Sequence, residues 1–190
     1  SHEDAIRHHA LSVQGEVGDG DFYAYNGGEF WMGGNTLTLS GQVSGNGRLT
    51  VGSGTLILTA DNTYRSHTVI RTGAVLQLGA GGKAGTIGGP YDDGFGGIGL
   101  AHVENGGTVV INRSNDFTIA NSFEGYFDWD IGTLVPGRLV HEGTGTTTLS
   151  GDANFGAGVT ISHGTLQIGA GTGAGTLKGD VDIAAGAKLV

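Results

Sequence analysis

The sequence predicts an all-β fold, a right-handed parallel β-helix in which successive turns of the chain stack as a solenoid. Three observations support this prediction: a high glycine content, short runs of alternating apolar residues, and an internal repeat. We expect residues 1–190 to form a single domain of this kind.

Glycine accounts for 40 of the 190 residues, and this is about three times its usual share of ~7%. Collagen is excluded because the chain has only two prolines and its glycines do not fall at every third position. Glycine adopts positive φ at no steric cost, as tight turns require. The composition therefore indicates many short strands joined by tight turns.

Apolar residues alternate with polar ones in short runs that are separated by Gly, Asn, Asp or Ser. A period of two predicts strands with one buried face. The only candidate for a helical turn lies in residues 4–11. We expect these residues to face the interior: Leu56, Leu58, Ile70, Leu76, Leu78, Leu149, Ile161, Leu166 and Ile168.

An internal repeat relates residues 47–89 to residues 137–179. Asp61 aligns with Asp152, and Tyr64 aligns with Phe155. The copies begin at residues 47 and 137, and this spacing along the sequence is too long for one turn of a solenoid. Each copy should therefore contain several rungs with loops of unequal length. Many short strands alone would also allow a sandwich, a barrel or a propeller, and the repeat favours the solenoid.

The string GSGTLILTADNTYRSHTVIRTGAVLQLG and its copy GTGTTTLSGDANFGAGVTISHGTLQIG resemble the autotransporter-associated β-strand repeat. The resemblance implies a β-helical passenger of a Gram-negative bacterium, extracellular or displayed on the cell surface. It also implies export through an outer-membrane β-barrel outside this fragment, which would be its only link to a membrane. Such passengers are often adhesins, aggregation factors or stalks, and their repeats have no catalytic or cofactor residues.

Charge and composition exclude several classes of function. The net charge is −9 with only nine lysines and arginines, and no basic cluster is present that could bind nucleic acid or a membrane surface. Cysteine is absent, which excludes disulfides, thiol nucleophiles and thiolate zinc sites. No stretch is long and apolar enough for a transmembrane helix and no signal peptide is visible, so we expect any export signal to lie outside this sequence.

No pattern in the sequence predicts a metal site. The turns at residues 18–21 and 91–94 do not have the spacing of an EF-hand loop. The histidines show no ligand-spaced pair on a recognisable helix. They are His2, His8, His9, His67, His102, His141 and His163. We therefore expect no cofactor and no dependence on metal ions.

Motifs for catalysis are also lacking. The glycine-rich stretch at residues 79–84 has Gln77 where a phosphate-binding loop needs its first glycine, and Ala84 where that loop needs Ser or Thr. The Gly-x-Ser-x-Gly motif does not occur. Because some β-helices cleave polysaccharides, Asp128 and Asp130 keep a polysaccharide-active enzyme as a distant alternative. We predict that the chain is not an enzyme.

Residues 126–136 interrupt the repeat pattern and are interpreted as an inserted loop. Aromatic side chains beside carboxylates are typical of recognition patches. The alternative is that these aromatic residues pack on the rod, as we expect for residues 22–25 and 30–32, which would shield the first rung. The candidate partner-binding residues are Tyr126, Phe127, Asp128, Trp129 and Asp130.

Two functions follow as predictions. The first is adhesion or self-association, with a host or bacterial surface protein, a glycan or another copy of the chain as partner. The second is a passive stalk and folding scaffold for secretion that presents another domain.

Overall fold

The computed structural model describes residues 6–7, 11–13, 22–24, 28–89, 91–92, 98–99, 101–171 and 175–190. Throughout these residues the regular elements are strands, and none of the described segments contains a helix that could cross a membrane. The strands are β1 (Ile6–Arg7), β2 (Leu11–Val13), β3 (Phe22–Ala24), β4 (Gly28–Leu39), β5 (Val43–Gly45), β6 (Leu49–Leu58), β7 (Thr68–Ile70), β8 (Val75–Leu78), β9 (Tyr91–Asp92), β10 (Ile98–Gly99), β11 (Val103–Asn105), β12 (Thr108–Ile111), β13 (Phe117–Ile119), β14 (Phe123–Asp128), β15 (Thr133–Val135), β16 (Arg138–His141), β17 (Thr146–Leu149), β18 (Ala153–Asn154), β19 (Val159–Ile161), β20 (Thr165–Ile168), β21 (Leu177–Lys178), β22 (Val181–Ile183) and β23 (Lys188–Leu189).

The strands stack in parallel on three faces of a coil. The first face contains the start of β6, then β7, β11, β14, β18 and β21. The second contains the end of β6, then β8, β12, β16, β19 and β22. The third face contains β13, β17, β20 and β23. The prediction of an all-β parallel β-helix is confirmed, and its right-handed sense stays a prediction from the general preference for right-handed crossovers.

Apolar side chains form ladders inside the coil because the strands pair in register. On the second face, for example, Leu56, Leu76, Val109 and Leu139 are paired in succession, and all four are buried. Each buried side chain of this size contributes about 1.5–3 kcal/mol. The residues predicted to face inward are buried, except Ile168, which is half-buried and packs against the core.

Equivalent strands of the two repeat copies lie on different faces of the coil. Strand β7 of the first copy aligns with β19 of the second, yet β7 is on the first face and β19 is on the second. Similarly, β8 is on the second face, whereas its equivalent β20 is on the third. The second copy is therefore rotated by one face about the axis of the coil. The strands between the copies bring the chain to a different face before the pattern begins again.

One corner between the first and second faces is much longer than its neighbour. Strands β11 and β12 are joined by only Gly106 and Gly107. In the next turn of the coil, β14 continues past the corner and pairs with β15 in antiparallel orientation before the chain reaches β16. The inserted residues thus form a β-hairpin.

Candidate functional site

The β14–β15 hairpin closes through a four-residue turn at residues 129–132. Tyr126 pairs with Val135 and Asp128 pairs with Thr133 across the two strands. Gly132 has a φ of 68°, a conformation that a residue with a side chain rarely adopts. Its N–H donates to the carbonyl of Asp128 over 2.8 Å. The turn is consequently held by its own backbone.

The side chain of Asp128 fixes this turn to the coil. Its carboxylate accepts hydrogen bonds from the Thr72 hydroxyl at 2.8 Å and from the Asp130 N–H at 3.1 Å. The hydrogen bond from Thr72, then those from the backbone of Asp130 and Ile131 and the charge of Arg71, hold the pKa of Asp128 below its usual value. Asp128 is therefore an ionised turn-capping residue.

Tyr126, one of the candidate partner-binding residues, is buried at the base of the hairpin with 7% of its surface exposed. A Cβ atom at position 106 would lie only 2.9 Å from the Tyr126 Cβ, so the absence of a side chain at Gly106 lets Tyr126 pack closely. The Arg71 guanidinium carbon lies 5.9 Å from the centre of the Tyr126 ring and 5.0 Å from that of Trp31. Tyr126 thus anchors the hairpin and is not available on its surface.

Four other apolar side chains of the hairpin are exposed and are called here the hairpin tip. Trp129 is 82% exposed, and the Phe127 ring meets its ring edge to face at a centroid distance of 4.6 Å. Asp130, which follows Trp129 in the sequence, is also exposed. The hairpin tip consists of Phe127, Trp129, Ile131 and Leu134. Exposed large apolar groups that lie close together are a mark of a contact surface.

Residues 30–32 were predicted to shield the first rung, and the structure buries only two of them fully. Phe30 and Met32 are buried, whereas Trp31 is half-buried and donates from its ring nitrogen to Glu29 at 3.2 Å. The side chains of residues 22–25 lie outside the described residues.

Histidines that are scattered in the sequence meet in the structure. The rings of His67 and His102 are stacked with centroids 3.8 Å apart. His102 Nε2 lies 3.1 Å from a carboxylate oxygen of Glu124, at the start of the hairpin strand, and 3.6 Å from one of Glu104. Burial, followed by the electrostatic influence of the neighbouring His102 ring, lowers the pKa of His67, and the carboxylates of Glu104 and Glu124 partly oppose this shift.

The pairing of His67 with His102 could be predicted from the sequence only if the register of the strands that follow them were known. His67 and His102 each precede a strand residue of the first face, and these two residues, Thr68 and Val103, are paired. Within the described ranges no group of three or more His, Asp or Glu side chains is arranged to hold a metal ion. His2, His8, His9 and the turn at residues 18–21 fall outside those ranges, as do residues 93 and 94 of the other acidic turn.

The glycine-rich stretch at residues 79–84 is a turn in which the amides of Gly79 and Gly81 already donate hydrogen bonds. The N–H of Gly79 donates to the Leu58 carbonyl and that of Gly81 to the Asn112 carbonyl, each at 2.8 Å. The Arg113 guanidinium donates to the carbonyls of Lys83 and Gly85. These bonds support the interpretation of the stretch as a structural turn.

Comparison with protein families gives matches within both repeat copies. Residues 50–78 and residues 139–168 each match the model of the passenger-associated-transport-repeat. No curated protein and no solved structure matches the chain. The predicted resemblance to autotransporter passenger repeats is confirmed.

Proposed function

We propose that this chain, whose two repeat copies match the model of the passenger-associated-transport-repeat, is part of an autotransporter passenger that makes adhesive contacts through the β14–β15 hairpin. The repeat family implies a secreted or cell-surface protein. The coil provides a rigid support, and the hairpin provides the contact.

The observation that carries this proposal is the contrast between the two ends of the hairpin. Its base is fixed by buried Tyr126 and by the hydrogen bond from Thr72 to Asp128, whereas Trp129 is 82% exposed. Contact residues that dominate binding are often aromatic, and order before binding reduces the entropy that association costs. An anchored hairpin with an apolar tip has both properties.

The carboxylates of the hairpin support a non-catalytic role. A general acid in glycoside cleavage needs a raised pKa, whereas hydrogen bonds from Thr72 and the turn backbone lower that of Asp128. The group is held in the ionised form by the same bonds that maintain the turn. Asp128 is therefore better explained as part of the hairpin than as the general acid of a catalytic pair.

A passive stalk is the second candidate function. It is favoured by the unbroken register of the second face, which pairs strands from β6 to β22 along the coil. A stalk needs this rod and makes no use of the hairpin tip.

A hairpin-shortening experiment separates the two functions. Residues 127–134 are replaced by a Gly-Ser turn, with Tyr126 and Val135 retained, and binding of the purified chain to cultured host cells and to bacterial cells is measured. We expect binding to fall at least tenfold, whereas Ile183→Ala, a change at an exposed apolar residue far along the chain, leaves it unchanged. Full binding by the shortened chain would favour the stalk.

A further inference from the structure

We infer that the hairpin tip binds a neutral glycan, with the apolar face of a pyranose ring stacked on Trp129 and a sugar hydroxyl hydrogen-bonded to Asp130. This inference rests on the adhesive function proposed above and names the chemical class of the partner.

Trp129 provides a flat and exposed platform for a sugar ring. Its side chain is 82% exposed, yet its ring is supported edge to face by Phe127 at 4.6 Å. The face of an aromatic ring is electron-rich and attracts the C–H groups on one face of a pyranose, which carry partial positive charge. The turn that positions this ring is fixed by Asp128 and Gly132, so stacking requires little reordering.

Asp130 is the carboxylate that is best placed for a sugar hydroxyl. Asp128 already accepts hydrogen bonds from Thr72 and from the Asp130 N–H, and Glu124 lies 3.1 Å from His102. Asp130 is exposed and adjacent in sequence to Trp129. A hydroxyl that donates to a carboxylate forms a charge-assisted hydrogen bond, which is stronger than a neutral one. Stacking and this bond together fix the orientation of the sugar.

The size and charge of the tip disfavour a second copy of this chain. A protein interface of standard size buries about 800 Å² on each partner, whereas the tip presents four side chains around one short turn. Two tips would also bring together Asp128, Asp130 and their counterparts from a chain with a net charge of −9, and like charges repel. The same charge disfavours sialylated or sulfated glycans, so the partner is expected to be neutral.

The test uses binding of neutral and acidic glycans to the purified chain. Methyl glycosides of galactose, glucose and mannose, and oligosaccharides that end in these sugars, are compared with sialylated equivalents by saturation-transfer NMR and on a glycan array. A Trp31→Phe variant leaves Trp129 as the sole tryptophan, since the sequence has only two, and its fluorescence reports contact at the tip. We expect neutral sugars to shift this fluorescence.

Variants then assign the contact to named side chains. Trp129→Ala should weaken glycan binding at least tenfold, Trp129→Phe should retain part of it, and Asp130→Asn should weaken it several-fold. Ile183→Ala is the matched control. Because Trp129 and Asp130 are exposed, the variants should fold normally, which circular dichroism checks.

The outcomes distinguish the glycan from the adhesive function itself. If Trp129→Ala abolishes cell binding, but no neutral sugar binds and periodate oxidation of cell-surface sugars has no effect, the partner is a protein and the glycan inference is overturned. Preference for sialylated sugars would also overturn it. If Trp129→Ala leaves cell binding unchanged, the proposed adhesive function fails together with the inference.

Discussion

The two repeat copies share several aligned strands but differ in the chemistry of their interiors. Where the first copy places Val51 and Leu56 in the core, the second places His141 and Thr147, and all four side chains are buried. The His141 Nε2 and the Thr147 hydroxyl oxygen are 2.9 Å apart and share a hydrogen bond. The repeat therefore tolerates a polar pair in its core, provided that the pair is satisfied.

A second position shows the reverse substitution. In the first copy the Tyr64 hydroxyl lies 2.6 Å from that of Thr68, and burial raises the pKa of Tyr64 to about 12. The second copy has Phe155 and Val159 at the equivalent positions, and the Phe155 ring packs at 4.9 Å from that of Phe123. Each copy thus contains one matched polar pair at a place where the other is apolar.

The largest expected effect tests whether the copies are equivalent in stability. Ile70 and Ile161 are aligned, and each is fully buried. Replacing either with Asp should unfold the surrounding rungs, because an unpaired charge in the core costs several kcal/mol. Thermal unfolding of both variants is compared with Ile161→Val, which should cost about 0.5–1.5 kcal/mol. A folded Ile161→Asp protein beside an unfolded Ile70→Asp protein would mean that only the first copy is essential.

The next largest effect concerns transfer of a hydrogen-bonded pair between copies. Phe155→Tyr alone should destabilise the chain by about 1–3 kcal/mol, because its hydroxyl would be buried beside Val159 without a partner. Adding Val159→Thr supplies the partner that Thr68 provides in the first copy, so the double variant should recover part of the loss. Urea unfolding of the single and double variants gives the coupling between the two sites. If the losses of stability from Phe155→Tyr and Val159→Thr simply added, the hydrogen-bonded pair of the first copy could not be transferred to the second.

An acid-dependent difference should distinguish the second copy from the first. Burial lowers the pKa of His141, and the hydrogen bond to the His163 carbonyl only partly opposes this. Below about pH 6.5 His141 is therefore protonated in the unfolded chain but still neutral in the folded chain. The free energy of unfolding should fall as the pH decreases, until His141 is protonated in the folded chain as well. Above that pH both states are neutral and this contribution is constant.

The measurement is the urea midpoint at pH 7.5 and at pH 5.5. In a His141→Val, Thr147→Leu double variant, which installs the residue types of the first copy, the decrease between the two pH values should be smaller than in the original chain. Replacement of both partners of a buried hydrogen bond can be nearly neutral, so stability at pH 7.5 should change little. An unchanged pH dependence would assign the acid sensitivity to the other histidines.

Local features of this fold were predictable from the sequence, whereas the relations between rungs were not. Alternation identified Leu56 and Ile161 as core residues because the two-residue period depends only on the strand itself. The rotation of the second copy depends on how many strands lie between the two copies. An alignment of the repeat does not show on which face of the coil each strand lies. The stacking of His67 on His102 likewise depends on a strand register set by loops of unequal length.

The hairpin shows the same limit of prediction from sequence, because the burial of Tyr126 depends on a residue in another rung. Its position was visible because residues 126–136 break the pattern, but Tyr126, Phe127 and Trp129 look alike in the sequence. Only Tyr126 lies against Gly106, in the neighbouring rung, and only Tyr126 is buried. The backbone space left by a glycine in another rung decided which aromatic residue became the anchor.

Removal of the hairpin tip should have the smallest effect on stability. This prediction compares the segment between the two repeat copies with the buried cores of the copies themselves. Replacing residues 127–134 with a Gly-Ser turn removes exposed apolar side chains, the hydrogen bonds within the turn and one exposed side-chain hydrogen bond to the coil, from Thr72 to Asp128. In a domain of this size 1 kcal/mol corresponds to about 2–4 °C of melting temperature, so we expect a shift of no more than about that amount. Tyr126→Ala is the contrasting variant, because it empties a buried site and should cost about 2–4 kcal/mol, near the range for large core side chains. If the shortened hairpin destabilised the chain as much as Tyr126→Ala, the tip would be part of the packing between the two copies, and an adhesive role for it would lose its structural basis.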